Sequence, residues 1–182
     1  MIRLSPAPTL RTERLVLRAP VAADWPFWRD FAASDRSRFI RPADFDDGKA
    51  WRAFGHIIGH WVMRGWGSFI FTRQDDDSPL GMTGPWYPET WPEPEIGWTL
   101  WSREAEGKGF ACEAATAARD HAFGSLGWKT AVSYIDPQNA RSIALAERLG
   151  ATLDKTARGP DFDTPCLVYR HPCPSPREGH AA

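Results

Sequence analysis

Cysteine is scarce in this chain: Cys112, Cys166 and Cys173 are the full complement in 182 residues, an odd number with no C-x-x-C pair. That argues against a disulfide framework and the common zinc knuckles, and leads us to expect a reduced, cytoplasmic protein. Long apolar runs are missing too. No stretch approaches the roughly 18 residues of a membrane-spanning helix, and the first residues lack the apolar core of a signal peptide. Neither sign of charge is in excess, with Lys+Arg 22 against Asp+Glu 23 and a formal net charge of −1. Neither nucleic acid nor a membrane surface is therefore expected as a partner. Two glycine signatures of nucleotide sites are also absent. No stretch reads G-x-x-x-x-G-K-[ST], and Gly107-x-Gly109 is followed by Cys112 where the dinucleotide fingerprint requires a third glycine.

What the chain does have is a strand, a glycine turn and a helix in succession. Glu95-Ile96-Gly97-Trp98-Thr99-Leu100-Trp101 is β-rich and follows prolines, Glu106-Gly107-Lys108-Gly109-Phe110-Ala111 is the turn, and residues 112–126 are alanine-rich at helical spacing. Two glycines let the backbone approach a ligand closely. The first turn of the helix points unpaired N–H groups, backed by the positive end of the dipole, at whatever lies there. Such a place suits an anion, a phosphate above all.

The remaining patterning frames that unit. Residues 14–18 alternate as a first strand; Asp24 is placed to cap a helix with Pro26 in its first turn; residues 48–63 return to helical spacing. Strands are expected over 66–73 and 80–86, a proline-rich loop over 87–94, a strand over 129–135, a helix capped by Asn139 and ended by Gly150, and strands over 151–158 and 166–170. The sum is a mixed α/β sheet of about seven strands flanked by four helices. Length allows one domain, over 10–171, with a loose arm at 1–9 and a proline-rich tail at 172–182. Ten tryptophans are many. Trp98 and Trp101 are candidates to line an apolar groove, although core packing accounts for most such residues. His56 and His60 lie one helical turn apart, yet Ile57-Ile58-Gly59 between them lacks the glutamate of a zinc-protease helix, so no metal is expected.

Glu106 to Ala111 resembles the Q/R-x-x-G-x-G/A pattern of the GNAT acyltransferases, with Gly109 and Ala111 on its small-residue positions and Glu106 where many members carry Gln or Arg. Asp136-Pro137-Gln138-Asn139-Ala140-Arg141-Ser142-Ile143 and Glu147-Arg148-Leu149-Gly150-Ala151 are similar to that family's "DPxNxxSI…EKLGF" segment. Leu10-Arg11-Thr12-Glu13-Arg14-Leu15-Val16-Leu17-Arg18 looks like the "LxTERLxLR" start of the branch of ribosomal-protein-alanine N-acetyltransferases. The resemblance implies a mostly antiparallel sheet splayed between strands 4 and 5, acetyl-CoA as acyl donor, and transfer to a primary amine in a ternary complex. It implies that the donor is bound by Thr99, Leu100, Trp101, Glu106, Gly107, Lys108, Gly109, Phe110, Ala111, Asn139 and Ser142. The acceptor, a protein N-terminus or a small molecule such as an amino acid, polyamine or antibiotic, is not named by any motif, and a homodimer is left open.

Chemistry suggests the catalytic candidates. An alkyl amine with a pKa near ~10 costs about 4 kcal/mol to deprotonate at neutral pH, so a base is useful. The resemblance implies a carboxylate at the head of the fourth strand, and Glu95, or Glu93 through water, stands there. A thiolate leaving group calls for an acid. The family's usual tyrosine aligns with Ala146, so Ser142 is the expected replacement, with Tyr134 second. That missing tyrosine keeps a non-catalytic acyl-CoA-binding sensor open as an alternative. The acidic residues Asp44, Asp46, Asp47, Glu89 and Glu93 would suit a cationic acceptor or would simply be solvated.

Overall fold

The computed structural model describes residues 7–40, 46–161 and 165–173. Asp44, the chain start and most of the 172–182 tail lie outside them. In chain order the elements are β1 (Leu10–Arg11), β2 (Leu15–Arg18), α1 (Trp25–Ala33), α2 (Asp47–Arg64), β3 (Phe69–Arg73), β4 (Gly81–Trp86), β5 (Glu95–Leu100), α3 (Phe110–Gly124), β6 (Val132–Ile135), α4 (Ala140–Arg148), β7 (Thr152–Leu153) and β8 (Leu167–Arg170). They form one sheet in the order β1-β2-β3-β4-β5-β6-β8-β7, antiparallel throughout except for β5 with β6. The mixed, mostly antiparallel sheet with four helices is as expected, with the two-residue β1 as an eighth strand. No helix among the described residues is long and apolar enough to cross a membrane.

Strand alternation sends side chains to two layers. On one face, Trp28, Phe31, Phe54 and Ile57 of α1 and α2 close over Ile70 and Trp101. On the other, Leu15, Leu17, Phe69 and Phe71 meet Ala114 and Ala118 of α3. The alanine stripe lets α3 sit close to the sheet: Ala114, Ala115, Ala118 and Ala122 are fully buried, whereas Ala111 at its start is only partly so. Trp101 and Trp28 belong to the core, and Trp28 donates its indole N–H to Ala50 O at 3.0 Å.

Several element ends differ from the sequence reading, each for a local reason. Asp24 makes no side-chain cap on α1; its 1% exposed carboxylate takes a fork from Arg18 (2.8 and 2.9 Å) and the Val21 N–H (2.8 Å). Capping falls instead to Asp46, which accepts from Lys49 N–H at the start of α2. The strand expected over 151–158 stops at Leu153 because the Asp154 carboxylate gathers Thr156 N–H, Thr156 Oγ1 and Ala157 N–H into a turn. α3 begins at Phe110, two residues earlier than its spacing suggested, because Gly109 at φ 78° is its cap.

Candidate active site

The sheet has one seam. β4 and β5 pair at six positions, but among the described residues β5 and β6 pair only at Glu95↔Val132, where Val132 N–H donates to Pro94 O at 2.9 Å. Beyond that rung a side chain takes the place of a strand. The Ser133 hydroxyl donates to Ile96 O at 2.6 Å, and His171 Nε2 lies 2.9 Å from Ser133 Oγ. Since the hydroxyl proton is committed to Ile96, Nε2 is the donor to Ser133. The imidazole is 4% exposed, and burial, aided by Arg119, pushes its pKa down to about 4, so it stays neutral. The splay expected between the fourth and fifth long strands is therefore present, and Ser133 with His171 is the wedge at its root.

Register decides which backbone groups face the gap. Trp101 N–H donates to Leu80 O at 2.7 Å, so by antiparallel alternation Gly97, Thr99 and Trp101 turn their amides toward β4. A Cβ built on Gly81 would lie 2.2 Å from Thr99 O, which agrees. The backbone groups of Ile96, Trp98 and Leu100 point the other way, into the opening. Of the three residues expected to offer backbone to a carrier arm, Leu100 alone turns its backbone groups toward the opening. The Thr99 and Trp101 backbones face β4 instead, and the Trp101 ring packs in the core with its Nε1 donating to Thr99 Oγ1 at 2.9 Å. Trp98, which sequence reasoning did not single out for its backbone, turns it toward the same opening. Even Leu100 is half engaged, since its carbonyl accepts from Arg36 Nη2 at 2.8 Å.

The glycine turn lies next along the chain. Gly107 and Gly109 have φ of 72° and 78°, a region that L side chains rarely adopt. No side chain caps α3, so its first N–H groups stay available to an outside anion. The N-terminal signature holds this turn in place. Arg14 donates to Lys108 O at 3.1 Å and to Glu113 Oε2 at 2.7 Å, its guanidinium covers the Phe110 ring at 4.6 Å, and Thr12 donates to Glu113 Oε1. Lys108 and Phe110 also line a neighbouring cleft of about 560 Å³ with Phe31, Arg36 and Trp101. Glu106 does not aim a bare carboxylate at the turn. It is ion-paired with Arg36 and, at 3.0 Å, with Arg141. Burial opposes ionisation there, but those arginines together hold the carboxyl below its ordinary range.

α4 brings its first turn to the same opening. Asn139 Oδ1 caps it by accepting Ser142 N–H at 3.2 Å, leaving the side-chain amide N–H groups for other partners. Ser142 Oγ accepts Trp98 Nε1–H at 3.2 Å, which leaves its own proton free to donate. Ala146 is fully buried, in a cluster with Ile135, Ala151 and Tyr169 against which the Trp98 ring packs.

At the head of β5, on the face of α1 and α2, side chains dominate. Glu95 sits at the closed end of the splay, where its carboxylate accepts Trp91 Nε1–H at 2.6 Å and also faces the Tyr134 N–H. Burial outweighs both and pushes its pKa up to about 7, so the group is poised to exchange a proton near neutrality. Glu93 is a different case. Arg170 grips both its oxygens, at 2.7 and 2.8 Å, and holds it below the ordinary carboxylate range, so it is an ion-pair partner and a poor base. Tyr134 accepts Glu93 N–H at 3.2 Å, and burial keeps its phenol protonated. Of the other acidic residues expected to favour a cation, Asp46 is a cap and Glu89 lies 3.5 Å from Arg64. His60 uses both ring nitrogens, Nδ1 with Trp66 O and Nε2 with Tyr87 N–H, each at 3.0 Å. It thereby anchors the 87–94 loop to α2 and has no nitrogen left for a ligand.

Comparison with known proteins agrees with this geometry. Residues 14–152 match the model of the acetyltransferase (GNAT) domain. The acetyltransferase of Agrobacterium tumefaciens str. C58 superposes with a TM-score of 0.83 at 43% identity, over 90% of this chain and 94% of that one. The ribosomal-protein-S5-alanine acetyltransferase of Vibrio fischeri has a TM-score of 0.67 over 91% and 97% of the two chains, at 13% identity, a likeness of fold alone. The uncharacterized protein YkkB of Bacillus subtilis (strain 168) is 37% identical over 75 residues, 41% of this chain and 42% of that relative, so the match spans less than half of its length. With a family model covering most of its length and the splayed sheet, glycine turn and capped fourth helix in place, this chain belongs to the GNAT acetyltransferase family.

Proposed function

We propose that this protein is an N-acetyltransferase that moves an acetyl group from acetyl-CoA to a primary amine by direct attack. The observation that carries the reading is the seam itself: strand pairing ends after one rung, and the Glu95 carboxyl, with its raised pKa, lies at the point where it ends. The residues fit the donor. An arm bearing two amides pairs with backbone groups of Trp98 and Leu100 as an added strand would, and a diphosphate meets the uncapped start of α3 beside Gly107 and Gly109. The donor, when bound, supplies an activated thioester and a thiolate leaving group.

Each remaining role falls to a residue of this chain. Glu95, ionised above about pH 7 and oriented by Trp91, takes the proton of the amine. The Trp98 N–H, a gap-facing amide of β5 nearer to Glu95 and beside Ser142, is the donor for negative charge developing at the reacting carbonyl. The Ser142 hydroxyl donates a hydrogen bond to the departing thiolate, which takes its proton from solvent, and the indole N–H of Trp98 polarises that hydroxyl. Neither cysteine near the site supports a covalent acetyl-enzyme. Cys112 is in the first turn of α3 on the flank toward Glu113 and Thr116, and burial pushes the Cys166 thiol up, away from the reactive thiolate.

Acetyl-CoA turnover against peptide and metabolite amines, read by thiol release and by mass spectrometry of the products, tests the reading. Acetylated amine with intersecting initial-velocity lines is expected. Donor binding without thiol release for every amine would indicate a sensor, and parallel lines would indicate a covalent intermediate.

A further inference from the structure

Glu106 occupies the position where the resembling motif has Gln or Arg, and its two oxygens are held by arginines from different parts of the fold. Arg36 lies in the 3-10 turn Asp35–Ser37 after α1, and Arg141 in the first turn of α4. The two are not equivalent. Arg36 is 17% exposed and is also fixed by Leu100 O, so its position is set from two sides. Arg141 is 85% exposed, and Glu106 Oε2 at 3.0 Å is the partner that draws it to the turn. An ion pair that exposed holds its cation weakly.

We infer that Arg141 is a phosphate-binding residue, held by Glu106 until an incoming phosphate displaces the carboxylate. The inference rests on the reading of residues 106–111 as the seat of the carrier's diphosphate. Its chemical basis is the mismatch between the two anions. Glu106 carries one charge, already shared with the fixed Arg36. A phosphate offers more charge and a geometry that the guanidinium fork matches with two parallel hydrogen bonds. The cation that the motif usually carries has thus moved to another helix, and the carboxylate left in its place acts as an internal competitor. Glu106 lowers the affinity of the donor while keeping Arg141 beside the turn.

Calorimetric titration of the full chain with coenzyme A, dephospho-coenzyme A and pantetheine tests this, with thermal melting as the control for folding. Arg141→Ala is expected to weaken coenzyme A binding about tenfold and to leave pantetheine binding unchanged. Loss with coenzyme A but not with dephospho-coenzyme A assigns the contact to the 3′-phosphate; loss with both assigns it to the diphosphate. Glu106→Gln is expected to tighten coenzyme A binding about threefold or more, and that gain should vanish when Arg141→Ala is added. Weaker binding by a folded Glu106→Gln variant, or a gain that persists without Arg141, overturns the inference. Gly109→Val separates the two levels of argument: if it leaves coenzyme A affinity intact, the turn is not the phosphate seat, whatever Arg141 does.

Discussion

The site has two walls built from different materials. One, formed by the later residues of β5, the glycine turn and the starts of α3 and α4, offers mainly main-chain groups: the amides of Trp98 and Leu100, the uncapped start of α3, and two glycines at positive φ. The other, at the head of β5, offers side chains, with Glu95 set by Trp91, Glu93 clamped by Arg170, and the 87–94 loop tied down through Tyr87 and His60. A main-chain site is specified by where the chain can turn, whereas a side-chain site is specified by which neighbours each group happens to meet. The first suits a carrier common to a whole family, and the second suits an acceptor that differs between members.

The largest effect should come from the side-chain wall. Glu95→Gln is expected to lower kcat by about 10²–10⁴ with little change in KM for acetyl-CoA, and the wild-type rate should rise with pH through about 7 as the carboxyl ionises. A rate that is flat from pH 6 to 8 would remove Glu95 from the chemistry. On the main-chain wall, Gly109→Val forces a β-branched residue to φ 78°, and donor affinity measured by calorimetry should fall about 10–100-fold with kcat on saturated enzyme less affected. Ser142→Ala is expected to cost about tenfold in kcat, and Trp98→Phe a few-fold, the latter only while Ser142 is present. Additive losses in the double variant would break the proposed link between indole and hydroxyl.

The smallest expected effect concerns stability. In the folded chain the Glu95 carboxyl keeps its proton up to about pH 7, whereas its ordinary value is 4.5. The folded state therefore binds the extra proton between these values and loses stability as pH rises through that window. Glu95→Gln should be more stable than the wild type by about 1–2 kcal/mol at pH 8 and show little gain at pH 4.5, as denaturant titration at the two values would report. Equal stability at both would mean that the carboxylate is not held at a cost.

This contrast also explains what could be read from residues in order. The glycine turn, the Asn139 cap and the alanine stripe are local, so spacing along the chain reveals them. Which of Trp98, Thr99, Leu100 and Trp101 face the gap is a matter of parity, and parity follows from the pairing of β5 with β4 rather than from β5 itself. Glu93, acting through water, stays open beside Glu95 as a base until Arg170, far along the chain, claims it. The same distance hides the reason for the N-terminal signature, because Arg14 and Thr12 act on Glu113 and on the Lys108 carbonyl across the fold. Asp24 was misread because Arg18, a better partner than a helix end, lies beside it.

The single rung between β5 and β6 has a mechanical consequence. Strands β1 to β5 form one plate and β6, β8 and β7 another, joined in the sheet at one corner where Ser133 and His171 prop them apart. An extended molecule lying in the opening, as proposed for the donor, would complete the hydrogen-bonding between the plates and so become a temporary member of the scaffold, stiffening the body around it.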